Sequence, residues 1–220
     1  MIRAIAFDFD GVLVESVDIK NRAYARLFEK EEEELVKSIL AYHFKNAGVS
    51  RFIKFRTIYQ EILERPLSEG ELQLLCDRFS RLVVDEVVAA PWVEGAQDFL
   101  VKNKDHYTFA IISGTPEDEL KQIVRSRAME PFFDVVLGSP KDKVALLREV
   151  MFRFDLNPKE ILFIGDAETD WNAARATEVP FFWRCSSSQV SSFPGYTGPR
   201  LSSLRDLDLN LRKIVSSYRF

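Results

Sequence analysis

The stretch Asp8-Phe9-Asp10-Gly11-Val12 follows an apolar run that extends from Ile2 to Phe7. In an extended segment the side chains of residues i and i+2 point the same way, so a strand here delivers two carboxylates side by side. Two like charges at this spacing repel unless a cation or a bound proton relieves the repulsion. The stretch therefore predicts a strand that ends in a cation site, or in a nucleophile beside an acid.

Composition and charge limit the classes of function. The 220 residues are 46% hydrophobic and 29% charged, which is typical of a soluble globular protein. A net charge of -4 gives no basic excess for a phosphate backbone, so we expect no nucleic-acid partner. Charged residues interrupt the N-terminal apolar run and no later run approaches the ~20 residues of a membrane helix, so we expect a cytoplasmic protein without a membrane partner. Cys76 and Cys185 lack CxxC spacing and are predicted to be buried apolar residues.

Further short apolar runs alternate with helical patterns after residue 106. The runs that predict strands are Tyr107 to Ile112, Val135 to Leu137, Ile161 to Ile164 and Phe181 to Arg184. Helical patterns lie near 142 to 154 and 168 to 177, and Thr115 is expected to cap another helix with Pro116 and Asp118 in its first turn. This alternation predicts an α/β fold, a doubly wound parallel sheet covered by helices on both faces.

The interval from about Val14 to Val88 contains helical patterns and no convincing strand. Residues 52 to 63 place apolar side chains on one helix face, and Ser68 with Glu71 has the spacing of a capping box. We therefore predict a helical insert, residues 15–88, within a core formed by residues 1–14 and 89–220. Pro91 to Gly95 is a candidate hinge, and Ser186 to Pro199 is a predicted surface loop.

Polar residues follow successive predicted strands. Ser113-Gly114-Thr115 follows the second strand, Gly138 to Lys143 follows the third, and Gly165-Asp166 follows the fourth. Ligands of an open parallel sheet bind outside the carboxyl ends of its strands. Each cluster alone has the composition of a turn or a helix cap, but their occurrence in this order favours one shared site.

These residues, in this order, resemble the four motifs of the haloacid dehalogenase superfamily of phosphohydrolases. The matching segments are Asp8-Phe9-Asp10-Gly11-Val12, Ile112-Ser113-Gly114, a lysine at 141 or 143, and Gly165-Asp166-Ala167-Glu168-Thr169-Asp170. The resemblance covers nearly the whole chain and is closest to the phosphoglycolate phosphatase and beta-phosphoglucomutase branch. It implies a Rossmann-like core and a helical cap of the first type, formed by the insert.

The resemblance also implies roles for the carboxylates. Asp8 is expected to attack phosphorus and form an aspartyl-phosphate, and Asp10 to protonate the leaving oxygen and then activate water. Asp10 must then have the higher pKa and carry a proton while Asp8 is ionised. The expected cofactor is Mg²⁺, bound by Asp8, Asp166 and the backbone carbonyl of Asp10, with Asp170 supporting the metal site or the lysine.

Other residues are expected to bind the substrate. The resemblance assigns Ser113 and Gly114 to the phosphoryl group, together with a lysine for which Lys143 is favoured over Lys141. The segment Gly48-Val49-Ser50-Arg51 is similar to a cap stretch of the same branch. Arg51, with Lys54, is therefore the candidate for specificity; the alternative is that Arg51 caps or solvates its helix start.

The expected activity is hydrolysis of a small phosphorylated metabolite. One alternative is a sugar-phosphate mutase, although Lys20 stands where the beta-phosphoglucomutase pattern has a hinge histidine. Another is a binding module that keeps the fold without turnover. His43 and His106 match no motif, and the sequence leaves open the substrate and whether the protein is a monomer or a homodimer.

Overall fold

Six parallel strands form a single sheet in the computed structural model, which describes residues 1–185, 195–209 and 211. The strands are β1 (Ala4–Phe7), β2 (Thr108–Pro116), β3 (Val135–Ser139), β4 (Ile161–Gly165), β5 (Phe181–Arg184) and β6 (Arg200–Leu201). Their spatial order is β3-β2-β1-β4-β5-β6. The predicted parallel α/β sheet is therefore confirmed. The sequence did not predict β6, which has only two residues and no apolar run.

Helices connect the strands along the chain and cover the sheet. In chain order they are α1 (Val17–Leu27), α2 (Glu33–Lys45), α3 (Arg51–Thr57), α4 (Glu69–Ala89), α5 (Ala96–Asn103), α6 (Glu117–Ser126), α7 (Lys143–Arg153) and α8 (Glu168–Ala176). None of the described helices is long and apolar enough to cross a membrane. Most of the predicted loop from Ser186 to Pro199 lies outside the described residues.

Strand β1 lies at the centre of the sheet and positions the two carboxylates. Phe7 is in register with Ile111 of β2 on one side and with Ile164 of β4 on the other. The chain proceeds from β1 to β2 and β3 on one side, then continues at β4 on the other, so the order reverses next to β1. This reversal opens a crevice at the carboxyl ends of β1 and its neighbours, where α/β sheets bind ligands.

Alternation along β1 divides the core into two layers. Ile5 and Phe7 pack into one apolar cluster, and Ala4 and Ala6 pack into the other, as the two-residue period of a strand requires. The second cluster contains the apolar faces of α7 and α8. Helices therefore cover both faces of the sheet, and the motif after β1 is held by burial on both sides.

Helices α1 to α4 lie between β1 and β2 in the chain. Tyr24, Phe55 and Phe79 pack edge to face or tilted, with ring centroids 5.0 to 6.1 Å apart. The same cluster continues to the sheet face through Phe7. The predicted capping box of Ser68 and Glu71 is confirmed at the start of α4.

Two local predictions were wrong. The helix expected over 52 to 63 changes from α3 to a π-helical turn at Ile58–Ile62. Thr115 does not cap a helix, because β2 continues to Pro116 and α6 starts at Glu117. The Thr115 hydroxyl instead lies beside Lys20, whose ammonium donates to it at 2.8 Å.

Both cysteines are free in the described chain. Cys76 is buried, and burial raises the pKa of its thiol to about 11, so it behaves as an apolar residue. Cys185 is only half-buried, which corrects the expectation that both are core residues.

Candidate active site

Polar side chains converge at the carboxyl edge of the sheet, below the helical insert. Asp8 follows β1, Ser113 lies near the end of β2, and Asp166 follows β4. Asp8 and Ser113 are 3% and 1% exposed. They face a cavity of about 760 Å³, whose opposite wall carries Tyr24 and Lys54 of the insert. A volume of this size is typical of a small-molecule site.

Lys143 connects two of the carboxylates. Its Nζ lies 3.0 Å from Asp8 Oδ2 and donates to Asp170 Oδ1. Burial lowers the pKa of Lys143, but Asp170 and Asp8 more than offset this effect and raise it. The ammonium is therefore a permanent positive charge beside Asp8.

The structure distinguishes the two candidate lysines. Asp142 caps α7 by accepting a hydrogen bond from Ala145 N at 2.7 Å, and Lys143 is the first residue of that helix. Lys141 precedes the cap, is exposed, and pairs with Glu149 at 2.7 Å. Lys143 therefore lies in the site and Lys141 at the surface.

Lys143 compensates only part of the negative charge that Asp8, Asp166 and Asp170 bring together. Burial raises the pKa of Asp8 to about 7; Lys143 lowers it, and Asp170 and Asp10 raise it further. Burial, followed by Asp8 and Asp170, raises the pKa of Asp166 well above its usual range. In the described part of the chain, no hydrogen-bond donor contacts the Asp166 carboxylate. A further positive charge at this position would therefore stabilise the ionised carboxylates of Asp8 and Asp166.

The carboxylates fit a divalent cation of the Mg²⁺ type. Asp8, Asp166 and Asp170 each offer an oxygen within 4.8 Å of the others. Hard cations prefer such oxygen ligands. Asp170 is fully buried and already holds Lys143 and the backbone N–H of Ala167, at 3.0 Å from the latter. Asp8 and Asp166 are therefore the freer ligands, and Asp170 steadies the lysine.

Gly11 allows Asp166 to approach the first motif. Its φ is +76°, a conformation that strains side-chain-bearing residues. A Cβ at this position would lie 2.3 Å from Asp166 Oδ2. The glycine is thus needed both for the turn after Asp10 and for the position of a candidate metal ligand.

Asp10 is held by residues of the first helical turn and of β2. Ser16 Oγ donates to Asp10 Oδ1 at 2.6 Å, and Lys20 forms an ion pair with Asp10. Burial raises the pKa of Asp10, but Lys20 and Ser16 more than offset this and hold it below its usual value. The protein's own groups therefore raise the pKa of Asp8 and lower that of Asp10, and the expected order, which concerns the site with Mg²⁺, stays a prediction. The main cause of the low pKa of Asp10 is Lys20, which sequence analysis had treated only as a missing histidine.

Arg51 does not face the substrate space as a free cation. Its guanidinium forms a bidentate contact with Glu119 of α6, donates to Ser80 Oγ at 2.8 Å, and lies 4.6 Å from the centroid of Phe79. Three of its five N–H groups are thus engaged inside the protein, while Arg51 also lines the cavity, so the substrate contact stays a prediction. It is also 5% exposed, so it does not solvate its helix start. Ser50, not Arg51, is the N-cap residue of α3.

Lys54 and His43 line the cavity from the insert. Lys54 is 3% exposed and lies 3.1 Å from His43 Nδ1. His43 stacks on Tyr24 with ring centroids 3.8 Å apart, whereas His106 is exposed. Sequence analysis named Lys54 but missed His43 and Tyr24, because both have the spacing of ordinary core residues on their helices.

Contacts between backbone segments bring the insert against the site. Ala47 O accepts a hydrogen bond from Thr169 Oγ1 at 2.8 Å. A Cβ on Gly114 would lie 2.5 Å from Gly48 O, which shows how closely β2 approaches the insert. On the opposite side Arg184 donates to Gly11 O at 2.9 Å, an interaction that sequence analysis also missed. The first motif is thus supported from β5 as well.

The sequence model of the haloacid dehalogenase-like hydrolase family matches residues 5–184, which include the site residues described above. This chain belongs to that family. The resemblance inferred from the motifs is therefore confirmed, and so is the Rossmann-like α/β fold that it implied.

Known relatives of this hydrolase-family chain match it over most of its length. It is 23% identical over 185 residues to a phosphorylated carbohydrates phosphatase of Thermotoga maritima, covering 81% of this chain and 82% of the relative. It is 27% identical over 194 residues to a phosphoglycolate phosphatase of Photorhabdus laumondii, covering 81% and 78%. The crystal structure of a predicted phosphoglycolate phosphatase from Haemophilus somnus superposes with a TM-score of 0.74 at 18% identity, covering 96% and 98%, and so shares the fold.

Proposed function

We propose that this protein is a Mg²⁺-dependent phosphatase that hydrolyses the phosphate monoester of a small metabolite. The observation that carries the proposal is the convergence of Asp8, Asp166 and Ser113 at one sheet edge, where they line the 760 Å³ cavity and where Lys143 pairs with Asp8. The two phosphatase relatives, at 23% and 27% identity, support the same reaction class.

Asp8 is the proposed nucleophile. Its carboxylate oxygen forms a bond to phosphorus as the bond to the leaving oxygen breaks, which gives an aspartyl-phosphate that water then hydrolyses. Lys143 lies 3.0 Å from Asp8 and reduces the repulsion between the carboxylate and an anionic phosphate. Ser113, with the backbone after it, is placed to donate to the phosphoryl oxygens.

Asp8 and Asp166 would hold the Mg²⁺, with the Asp10 carbonyl as the further ligand that the family pattern implies. When bound, the cation supplies positive charge between the nucleophile and the phosphate. Asp170 is proposed to act indirectly: it accepts a hydrogen bond from the Lys143 ammonium and so positions that group beside Asp8. The high pKa of Asp8 and of Asp166 supports this assignment, since an added cation would stabilise both ionised carboxylates.

Asp10 is the proposed general acid and base. It must hold a proton to protonate the leaving oxygen, whereas its ion pair with Lys20 favours the ionised form. We therefore expect the ion pair between Lys20 and Asp10 to break when substrate enters the cavity. Lys20 belongs to α1 of the insert, so movement of the insert would change the protonation of Asp10.

The insert, residues 15–88, is proposed to act as a cap on the core formed by residues 1–14 and 89–220. The contacts of Ala47 with Thr169 and of Arg51 with Glu119 support this role, because they join the insert to the core at two points near the cavity. A cap of this kind excludes water and adds contacts to the substrate.

Phosphate release from an aryl phosphate, measured with and without Mg²⁺, tests the proposal. We expect activity that depends on Mg²⁺ and is abolished by Asp8→Asn. Retained turnover in Asp8→Asn would refute the nucleophile, and absence of wild-type activity on aryl phosphates and a broad metabolite panel would refute the function. The mutase alternative predicts isomerisation of a hexose 1-phosphate in the presence of a bisphosphate primer, with little phosphate released.

A further inference from the structure

The insert carries a buried lysine, Lys54, that lines the same cavity as Asp8 and Asp10. Lys54 is 3% exposed, yet no carboxylate pairs with it among the residues that the structure describes. Other cations in or beside the cavity have acidic partners: Lys143 has Asp8, the half-buried Lys20 has Asp10, and Arg51 has Glu119. A buried cation is costly unless it is paired, so the position of Lys54 requires an explanation.

The neighbours of Lys54 leave one of its protons free. Burial lowers the pKa of His43 to about 3, so the imidazole is neutral. An ammonium can only donate, so His43 Nδ1 accepts from Lys54 at 3.1 Å, and Nε2–H donates to Asn21 Oδ1 at 3.0 Å. Lys54 Nζ also donates a second hydrogen bond to the His43 carbonyl oxygen, at an N···O distance of 3.3 Å. The third N–H therefore has no acceptor in the described protein.

Tyr24 places a second unsatisfied donor on the same wall. Its hydroxyl is buried without a hydrogen-bond partner in the described structure, and the residue lines the cavity. Burial raises the pKa of the phenol, so the hydroxyl keeps its proton and can donate. Lys54 Nζ lies 5.6 Å from the centroid of the Tyr24 ring. Tyr24 and Lys54 thus line the same cavity, and each carries a donor that has no acceptor in the described structure.

The electrostatics of Lys54 favour an anionic partner. Burial lowers its pKa to about 7; Lys20 and Lys143 lower it further, and Asp10 raises it. These interactions show that Lys54 is within electrostatic reach of the site. An anion in the cavity would favour the charged ammonium and offset the cost of burying it.

We propose that Lys54 and Tyr24 form a subsite for a second anionic group of the substrate, a carboxylate or a phosphate at the end remote from the scissile phosphate. This rests on the proposed function, because it assumes that the scissile phosphate lies at Asp8. The cavity of about 760 Å³ has room for both groups. The substrate class is thus narrowed to phosphate monoesters with a second acidic group.

Equilibrium binding to the Asp8→Asn protein in the presence of Mg²⁺ tests the subsite without turnover. Titration calorimetry compares ligands matched except at the remote end. The pairs for a carboxylate are 3-phosphoglycerate with glycerol 3-phosphate, and 6-phosphogluconate with glucitol 6-phosphate. The pair for a phosphate is glucose 1,6-bisphosphate with glucose 6-phosphate. We expect the doubly acidic member of at least one pair to bind roughly 10- to 100-fold more tightly, the range for a charged hydrogen bond.

Variants then assign that preference to the proposed residues. Lys54→Met keeps the length of the side chain and is expected to reduce the ratio of the two dissociation constants in a pair to about 1. Tyr24→Phe is expected to reduce this ratio severalfold. Lys37→Met removes an exposed lysine of α2 and is the matched control for net charge. The absence of a preference in every pair, or a preference that survives Lys54→Met, would overturn the subsite.

Aryl phosphate hydrolysis separates this inference from the proposed function. Such a substrate has no second anion, so Lys37→Met, the control outside the cavity, is expected to hydrolyse it at a rate within about threefold of wild type, whereas the effect of Lys54→Met on the subsite is measured by the binding ratios. Lack of turnover by the wild type would count against phosphatase activity, whereas the binding ratios would still test the subsite. Thermal unfolding of Lys54→Met checks its fold; we expect no loss of stability, because an unpaired buried charge is removed.

Discussion

The buried ion pair between Arg51 and Glu119 predicts a large effect of a small substitution, Glu119→Gln. The two side chains are 5% and 11% exposed, and Arg51 contacts both carboxylate oxygens. Glutamine keeps the shape of glutamate but removes the charge, which leaves the guanidinium buried without a counter-charge. Removal of one partner from a buried pair costs about 3–5 kcal/mol, so we expect the free energy of unfolding to fall by about 3 kcal/mol, since one amide acceptor remains.

Urea denaturation of the wild type and variants, followed by circular dichroism, measures this effect. The matched control is Glu86→Gln, which removes the charge from the exposed pair with Arg22, where the side chains are 63% and 56% exposed. The pair of Arg22 and Glu86 is expected to contribute less than about 1 kcal/mol to the free energy of unfolding. The double variant Arg51→Met/Glu119→Leu should recover part of the loss, because it leaves no unpaired charge. Equal destabilisation by Glu119→Gln and Glu86→Gln would refute the reasoning.

Two further predictions concern lysines near the cavity. Burial holds the pKa of Lys54 at about 7, below its ordinary value of 10.5, while His43 stays neutral across this interval. The unfolded chain then binds more protons between pH 7 and 10.5, so the stability of the wild type relative to Lys54→Met should rise with pH, by at most roughly 5 kcal/mol. Urea denaturation of both proteins at several pH values measures this; a difference that is flat or falls with pH would contradict it. In the second prediction, Lys143→Met should lower kcat on an aryl phosphate by at least about 10³-fold, because the charge beside Asp8 is lost, whereas Lys141→Met should change it less than twofold. Similar rates for the two variants would contradict the assignment of Lys143.

The ion pair of Arg51 also changes how specificity in this chain is interpreted. Arg51 contacts a carboxylate of the core and so links the insert to α6, and it also lines the cavity. Lys54, three residues later on α3, lines the same cavity but has no carboxylate partner among the described residues. The two cations of this short helix therefore differ in whether a carboxylate of the core already compensates their charge.

Local patterns in the sequence were sufficient for much of the fold. Apolar runs predicted β1 to β5, the capping box predicted the start of α4, and the carboxylates at positions 8 and 166 were placed at the ends of their strands. These signals act within a few residues, where alternation, helix periodicity and capping control the backbone. The motifs also identified the family, because their residues follow successive strands in a fixed order.

Only the tertiary structure decided which charges meet. Arg51 and Glu119 are 68 residues apart in sequence, and no local pattern indicates that α3 packs against α6. The pairing of Lys20 with Asp10 likewise depends on how α1 lies relative to the end of β1, and it holds the pKa of Asp10 below its usual value. The energy of a charged group depends on burial and on its nearest opposite charge, and both arise only when distant segments pack together. The sequence by itself therefore determined the fold, the family and the position of Asp8 at the end of β1, whereas packing decided which cations pair with a carboxylate of the protein.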